Sequence, residues 1–386
     1  PPPPRAGNDD ALGGKPTVYK ALVSAVVRPP RFVYDLKLLG PSSFDFAGRR
    51  VLRSDFVLRN KDGQRLHCSH WRPVGPACAD GSLPGGAALH FNKKTPSSSA
   101  SSSKSSSRTA APTSPGKTPV VIFMHANSAS RVQACTYLAV VLSLGFSMFA
   151  FDCCGSGISD GDYVTLGWRE AYDLLVVVAH LKSQPDVGPV AVWGHSMGAA
   201  SVIYYQAFSR GRWPHLDACV LDSPYSDFSV LARHLVSSNA MLTGTNVTQY
   251  LATFTIAQTA LKLVLDSIDA SVQKIVGVSP LQDLSPVSRV HLCTAPALFL
   301  QARNDRIISM QHVEELANKY AGPRKLAIID GTHSSPRNGA ARKFVALYLK
   351  KHIKLPPEQR YPSIRPKDVY LDALPWHRHR PNPVAQ

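Results

Sequence analysis

From residue 119 onward, short apolar runs alternate with longer stretches in which apolar positions return every three or four residues. Val120 to Met124, Phe146 to Phe151, Val190 to Trp193, Ala218 to Leu221, Ala297 to Gln301 and Leu326 to Ile329 read as strands. Helical spacing is expected near Val132 to Leu144, near Leu166 to Leu181, from Ala199 onward, near Gln311 to Tyr320 and near Asn338 to His352. Such βαβ alternation implies a parallel sheet with helices on both faces. Earlier in the chain, Arg53 to Arg59 and Arg65 to Trp71 alternate apolar and polar residues around Lys61-Asp62-Gly63, the signature of a hairpin. The expected fold class is α/β, a mostly parallel sheet of about eight strands that begins antiparallel.

Three stretches break the pattern. Residues 75–118 turn to Ser, Gly, Pro, Ala and Lys, with Ser97 to Ser107 almost wholly serine, so no apolar face offsets the entropy of ordering and a disordered insertion is expected. Residues 225–296 carry helical patterns near Asp227 to Ser238 and Gln249 to Val276 between two strands, a placement that suits a helical lid. The longer pattern presents Leu251, Phe254, Leu261, Leu265 and Ile268, which either line an acyl pocket or pack the lid down; packing is the favoured reading. Residues 1–27 form a flexible N-terminal segment ending in a short amphipathic helix, Tyr19 to Val27, and residues 354–386 a basic, Pro-rich tail. The remaining body, residues 28–353, is one domain.

Composition narrows the class. With 386 residues and 44% hydrophobic content, the chain can bury a full α/β core and still carry flanks. The formal net charge of +17 points toward acidic partners, yet only about +2 of it falls on residues 119–350. Basic flanks of this kind are read first as solubilised tails, with loose contact with acidic partners or anionic lipid heads as the functional alternative, and the nearly neutral body argues against specific nucleic-acid binding. Seven scattered cysteines form neither a disulfide framework nor a CxxC pattern, which points to an intracellular, cytoplasmic setting. No apolar run approaches the length of a membrane span. The chain starts at Pro1, so it says little of targeting.

The pattern GxSxG occurs twice, at Gly194-His195-Ser196-Met197-Gly198 and at Gly157-Ile158-Ser159-Asp160-Gly161. A nucleophile elbow requires a strand, one sharp turn with serine at its apex, and then a helix. Only the first match has that context: Pro189 to Trp193 runs straight into Gly194, and small residues open the following helix. Ser159 reads as a plain turn residue. A serine hydroxyl needs an imidazole base and an acid to fix the imidazole tautomer. His333 lies in the loop Asp330-Gly331-Thr332-His333 leaving a strand, and can reach the face on which Ser196 sits. His195 cannot serve, because adjacent side chains at an elbow point apart. Asp305 follows the strand Ala297 to Gln301 and is the first choice for the acid, with Asp222 at the end of Ala218 to Leu221 as runner-up. The backbone N–H groups of Met197 and Asn127 are the candidate oxyanion donors, and His125 is expected to make an orienting hydrogen bond. No dinucleotide fingerprint, phosphate loop or metal-ligand spacing is present, so neither cofactor nor metal is expected.

Taken together, His125-Ala126-Asn127-Ser128, Phe151 to Gly161, Leu166-Gly167-Trp168, Gly194 to Gly198, Leu221-Asp222-Ser223 and Gly331 to Arg337 resemble the α/β-hydrolase superfamily, specifically its serine-aminopeptidase-like branch, which includes monoacylglycerol lipases. The likeness spans about residues 28–73 and 119–353. It implies an α/β-hydrolase fold, with Ser196, Asp305 and His333 in catalytic roles. Two departures stand out: Ala126 occupies a position where this branch usually has glycine, and the insertion at 75–118 is unexpected. The reading is a serine hydrolase of carboxylic esters or thioesters, with a lipid or acyl-protein substrate favoured. Aminopeptidase-type amide hydrolysis and a catalytically weak hydrolase-like binding protein are the alternatives.

Overall fold

The computed structural model describes residues 17–76, 117–237 and 258–353, together with Leu374. Its centre is a nine-stranded sheet in the order β1-β2-β3-β5-β4-β6-β7-β8-β9. Strands β1 (Ser43–Phe46), β2 (Arg49–Arg59) and β3 (Arg65–Pro76) form the antiparallel beginning. The others are β4 (Thr118–Met124), β5 (Ser147–Phe151), β6 (Val187–His195), β7 (Ala218–Asp222), β8 (Ala297–Ala302) and β9 (Arg324–Ile329), all parallel.

One strand more is present than the hydrophobic pattern predicts. β1 is four residues long and reaches β2 through Ala47 and Gly48, both at positive φ (50° and 74°). A two-residue hairpin turn needs that geometry at both positions, and Asn-Gly or Asp-Gly is its usual sequence signal. Ala-Gly hides it. The edges of the expected insertion also move: Gly75 and Pro76 pair with Arg50 and Arg49, and Thr118 with Val187, so these residues belong to the sheet, while 77–116 lie outside the described residues.

Helices α1 (Thr17–Val27), α3 (Glu170–Ser183), α4 (Met197–Ser209), α5 (Phe228–Ser237), α6 (Gln258–Val276) and α7 (Met310–Lys319) share a core with one sheet face, where Val192, Leu221 and Phe299 are fully buried. Helices α2 (Leu138–Ser143) and α8 (Gly339–His352) cover the other face, over Phe123, Trp193 and Leu298. The single helix expected over 132–144 is split into a 3₁₀ segment, Arg131–Thr136, and α2. The cause is local: Ser130 caps Val132 N–H, and Arg131 N–H donates to the buried Asp152 carboxylate at 2.7 Å, which fixes the entry of the chain before an α-helix can start.

Within 225–296, α5 and α6 appear where helices are expected, and residues 238–257, including Leu251 and Phe254, lie outside the described residues. Ile268 is buried in the same core as Val23, Val26 and Val27 of α1, Leu265 is buried as well, and Tyr19 Oη meets Ser271 Oγ at 2.7 Å. The packing reading of these apolar positions therefore holds for those described. Of the basic tail only Leu374 is described, and it is buried against the α8 face. No helix among the described residues is long and apolar enough to cross a membrane.

The order of the strands locates the functional end. The chain leaves β4 toward β5 on one side and continues through β6 to β9 on the other, so the loops after β4 and β6 diverge and open a crevice at the carboxyl ends of the strands.

Candidate active site

Ser196 sits at that crevice, between β6 and α4, with φ 54° and ψ −112°. A non-glycine residue there stores backbone strain, which the surrounding packing must hold. Two glycines permit it: a Cβ on Gly194 would run into the Gly198 carbonyl, and one on Gly198 into the Met124 carbonyl of β4. The other GxSxG match has no such geometry. Ser159 donates its hydroxyl to the Asp152 carbonyl at 2.7 Å and accepts from His67 N–H at 2.9 Å, as a turn residue does.

The structure brings three of the predicted residues into line. Ser196 Oγ is 3.0 Å from His333 Nε2, and His333 Nδ1 is 2.7 Å from Asp305 Oδ2. The other carboxylate oxygen of Asp305 accepts the N–H groups of Ile307 and Ile308 at 2.9 and 2.8 Å, and the side chain is fully buried. In this arrangement the tautomer that donates Nδ1–H to Asp305 leaves Nε2 facing the serine hydroxyl as an acceptor.

Asp222, the alternative acid, is engaged elsewhere. Its two oxygens take Nε and Nη2 of Arg337 at 2.8 and 2.7 Å, both side chains wholly buried. Burial alone would raise the Asp222 carboxyl, but the Arg337 guanidinium, with His195 beside it, holds it below its ordinary value. Arg337 also donates Nη1 to the Thr332 carbonyl at 2.8 Å, so the ion pair ties the end of β7 to the loop that carries His333.

Met197 opens α4, and its N–H is among the first-turn donors that lack an intrahelical acceptor. Asn127 lies in the loop after β4, and Met124 and Gly194 are in register across the β4–β6 pair, so the two segments expected to hold the oxyanion donors start side by side. Ala126, expected to be glycine, is absent from the positive-φ residues; the left-handed position in this loop is Ser128, at 60°. A Cβ at 126 therefore costs no backbone strain.

His125 orients this loop, as its position suggests: Cys153 N–H donates to its Nε2 at 3.1 Å, leaving Nδ1–H to donate to the Ala126 carbonyl at 2.8 Å. A second chain of bonds was not visible in the sequence. Ala126 N–H donates to Gln133 Oε1 at 2.9 Å, Gln133 Nε2 donates to His195 Nδ1 at 2.9 Å, and His195 Nε2–H donates to the His333 carbonyl at 3.0 Å. Burial pushes His195 down to about 3, which keeps the ring neutral and able to accept and donate in this way. His195 thus joins the β4 loop to the loop that carries His333 and, as expected, does not contact the serine hydroxyl. Neither Gln133 nor Arg337 carries a local signal of these roles; only the assembled loops bring them to their partners.

Comparison with known proteins adds to the description of the fold. Residues 118–275 fit the family model described as "Serine aminopeptidase, S33". The Pyrococcus furiosus esterase Pf2001 superposes with a TM-score of 0.53 at 17% identity, over 84% of this chain and 99% of that one. The chain has the α/β-hydrolase fold. An acetyl xylan esterase from Paenibacillus sp. R4 shares the α/β-hydrolase fold at TM-score 0.52 and 12% identity, over 88% of this chain and 100% of that one. In sequence, the chain is 25% identical over 225 residues to the uncharacterized protein YqkD of Bacillus subtilis, covering 57% of this chain and 67% of YqkD. It is 29% identical over 130 residues to the lysophosphatidylserine lipase ABHD12 of Danio rerio, covering 30% of this chain and only 33% of that relative's length.

Proposed function

We propose that this α/β hydrolase cleaves carboxylic esters or thioesters through an acyl-enzyme on Ser196. The observation that carries the reading is the continuous line from Ser196 Oγ through His333 to Asp305, at 3.0 and 2.7 Å. In the proposed sequence, Ser196 Oγ attacks the acyl carbon while His333 Nε2 takes its proton. The N–H groups of Met197 and Asn127 receive the negative charge on the acyl oxygen. The tetrahedral intermediate then expels the alcohol or thiol, which leaves with the proton from His333. Water activated by the same imidazole releases the acid and restores the serine. Asp305 holds the tautomer and stabilises the imidazolium that forms twice in the cycle.

A lipid or acyl-protein substrate is favoured. The similarity to a protein named a lysophosphatidylserine lipase supports the ester-lipid side of this reading, and the apolar segment 225–296 is the proposed lid. Peripheral contact with anionic membranes through the basic flanks belongs to the same proposal. The match to a model named for serine aminopeptidases supports amide hydrolysis as a second reading.

A fluorophosphonate probe should label the wild-type chain and the Ser159→Ala variant, and fail to label Ser196→Ala. Labelling that survives Ser196→Ala would overturn the mechanism. Comparison of short and long acyl p-nitrophenyl esters with aminoacyl p-nitroanilides then separates the two substrate readings.

A further inference from the structure

A second concave surface lies away from Ser196. The carboxyl end of α4, the loop after it and the 3₁₀ segment Val290–Leu292 with Arg289 before it enclose a half-open cavity of about 530 Å³. Helix α4 starts at the elbow and has 13 residues; at about 1.5 Å per residue its last turn is some 20 Å from the serine, toward the amino ends of the strands.

The wall of the cavity is aromatic. Trp168, Tyr172, Phe208 and Trp213 are each only partly buried, and they brace one another, Trp168 on Phe208 at 4.7 Å and Tyr172 on Trp213 at 5.4 Å between ring centres. Three arginines stand around it, Arg210, Arg212 and Arg289, and no carboxylate lines it. Arg289 sits over the Trp168 ring at 4.8 Å and donates to Ser288 Oγ at 2.8 Å, so it is held in place. Arg210 and Arg212 are exposed, and among the described residues neither guanidinium has an ion-pair partner or hydrogen-bond acceptor. Positive charge gathered on an aromatic concavity with no acid to balance it is complementary to an anion that has a flat apolar body.

We propose that this cavity binds an organic phosphate carrying an aromatic ring, of the mononucleotide class. Guanidinium forks match phosphate oxygens in bidentate geometry, while indole, phenyl and guanidinium planes accept a flat ring by stacking. The volume lies within the range of about 300–1,000 Å³ typical of small-molecule sites. Three other occupants fit less well. An extended nucleic-acid strand needs a basic track, and residues 119–350 carry only about +2 net. An anionic bilayer docked here would turn the Ser196 crevice away from the lipid. Of the chain's own segments outside the described residues, 77–116 and 354–386 are net basic and would be repelled, and 1–16 and 238–257 have no net negative charge to offer the arginines.

The test is a tryptophan-fluorescence titration of the full chain with adenosine 5′-monophosphate, adenosine, inorganic phosphate and phosphatidylserine vesicles. It is repeated on Arg210→Glu/Arg212→Glu and on a charge-matched control, Lys325→Glu/Lys343→Glu, at exposed positions elsewhere. Fluorophosphonate labelling of both double variants checks that they fold. The nucleotide should produce a saturable change, and the affinity should fall at least about tenfold for adenosine or phosphate alone and in Arg210→Glu/Arg212→Glu, but not in the control. No saturable response to the nucleotide, an equal response in the two double variants, or arginine-dependent binding of vesicles alone would overturn the proposal.

Discussion

Ser196, His333 and Asp305 were each legible because a residue placed just past a strand's carboxyl end has few directions in which to point. Two carboxylates met that criterion, and sequence could only rank them; the buried Arg337, which occupies Asp222, is what separates them. That distinction has a sharp consequence. Asp305→Asn should keep the fold and reduce kcat by about 10⁴, because the imidazole loses its enforced tautomer. Asp222→Asn should instead strand the Arg337 guanidinium in a dry site and cost about 3–5 kcal/mol of stability, read as a lowered urea midpoint. If Asp305→Asn retained near wild-type ester turnover, the proposed role of Asp305 would fail. Gln133 and His195 had no comparable signal, since a buried side chain that bridges two loops is defined by tertiary distance and by nothing local.

At the scale of elements, strands were the most readable part, because their interiors are continuous apolar runs between polar breaks, as in Val120 to Met124. The short β1 escaped because its turn lacks Asn or Asp, and α2 was drawn too long because its 3₁₀ entry is set by Asp152, 21 residues away. The join between β6 and α4 is tight. At Gly198 an added Cβ would press on the β4 backbone, whereas at Gly211, at φ 78°, it would meet nothing within 4 Å. Gly198→Ala should therefore cost about 1–3 kcal/mol through overpacking and slow fluorophosphonate labelling as β4 and its donor loop shift. Gly211→Ala should cost only the left-handed backbone penalty of about 1 kcal/mol and label at the wild-type rate. Equal labelling rates would show that the glycine contact does not position the β4 loop.

For the whole molecule, the stability profile with pH follows from histidines buried in neutral form. His70 packs between sheet and helix, donates to or accepts from Ser147 Oγ at 3.1 Å, and is pushed down to about 3 by burial, with Arg72 and His180 adding to the effect. Its folded value lies below its unfolded one, so its contribution is complete above about pH 6.5 and is lost as pH falls toward 3. Thermal midpoints should decline from pH 7 to pH 5, and His70→Leu should flatten that decline, because Ser147 keeps the Pro119 carbonyl as acceptor at 3.3 Å. An unchanged slope in His70→Leu would remove this residue from the acid limb.

The buried ion pair between Asp222 and Arg337 bears on timing as well as on position. A loop fastened to the sheet by two bonds in a water-free site behaves as part of the interior, and it opens only when the interior does. The loop that carries His333, the proposed base, is therefore assembled as the chain folds rather than on arrival of a substrate. Turnover should then vanish on heating together with the tertiary structure, and catalysis becomes a gauge of whether the molecule is intact.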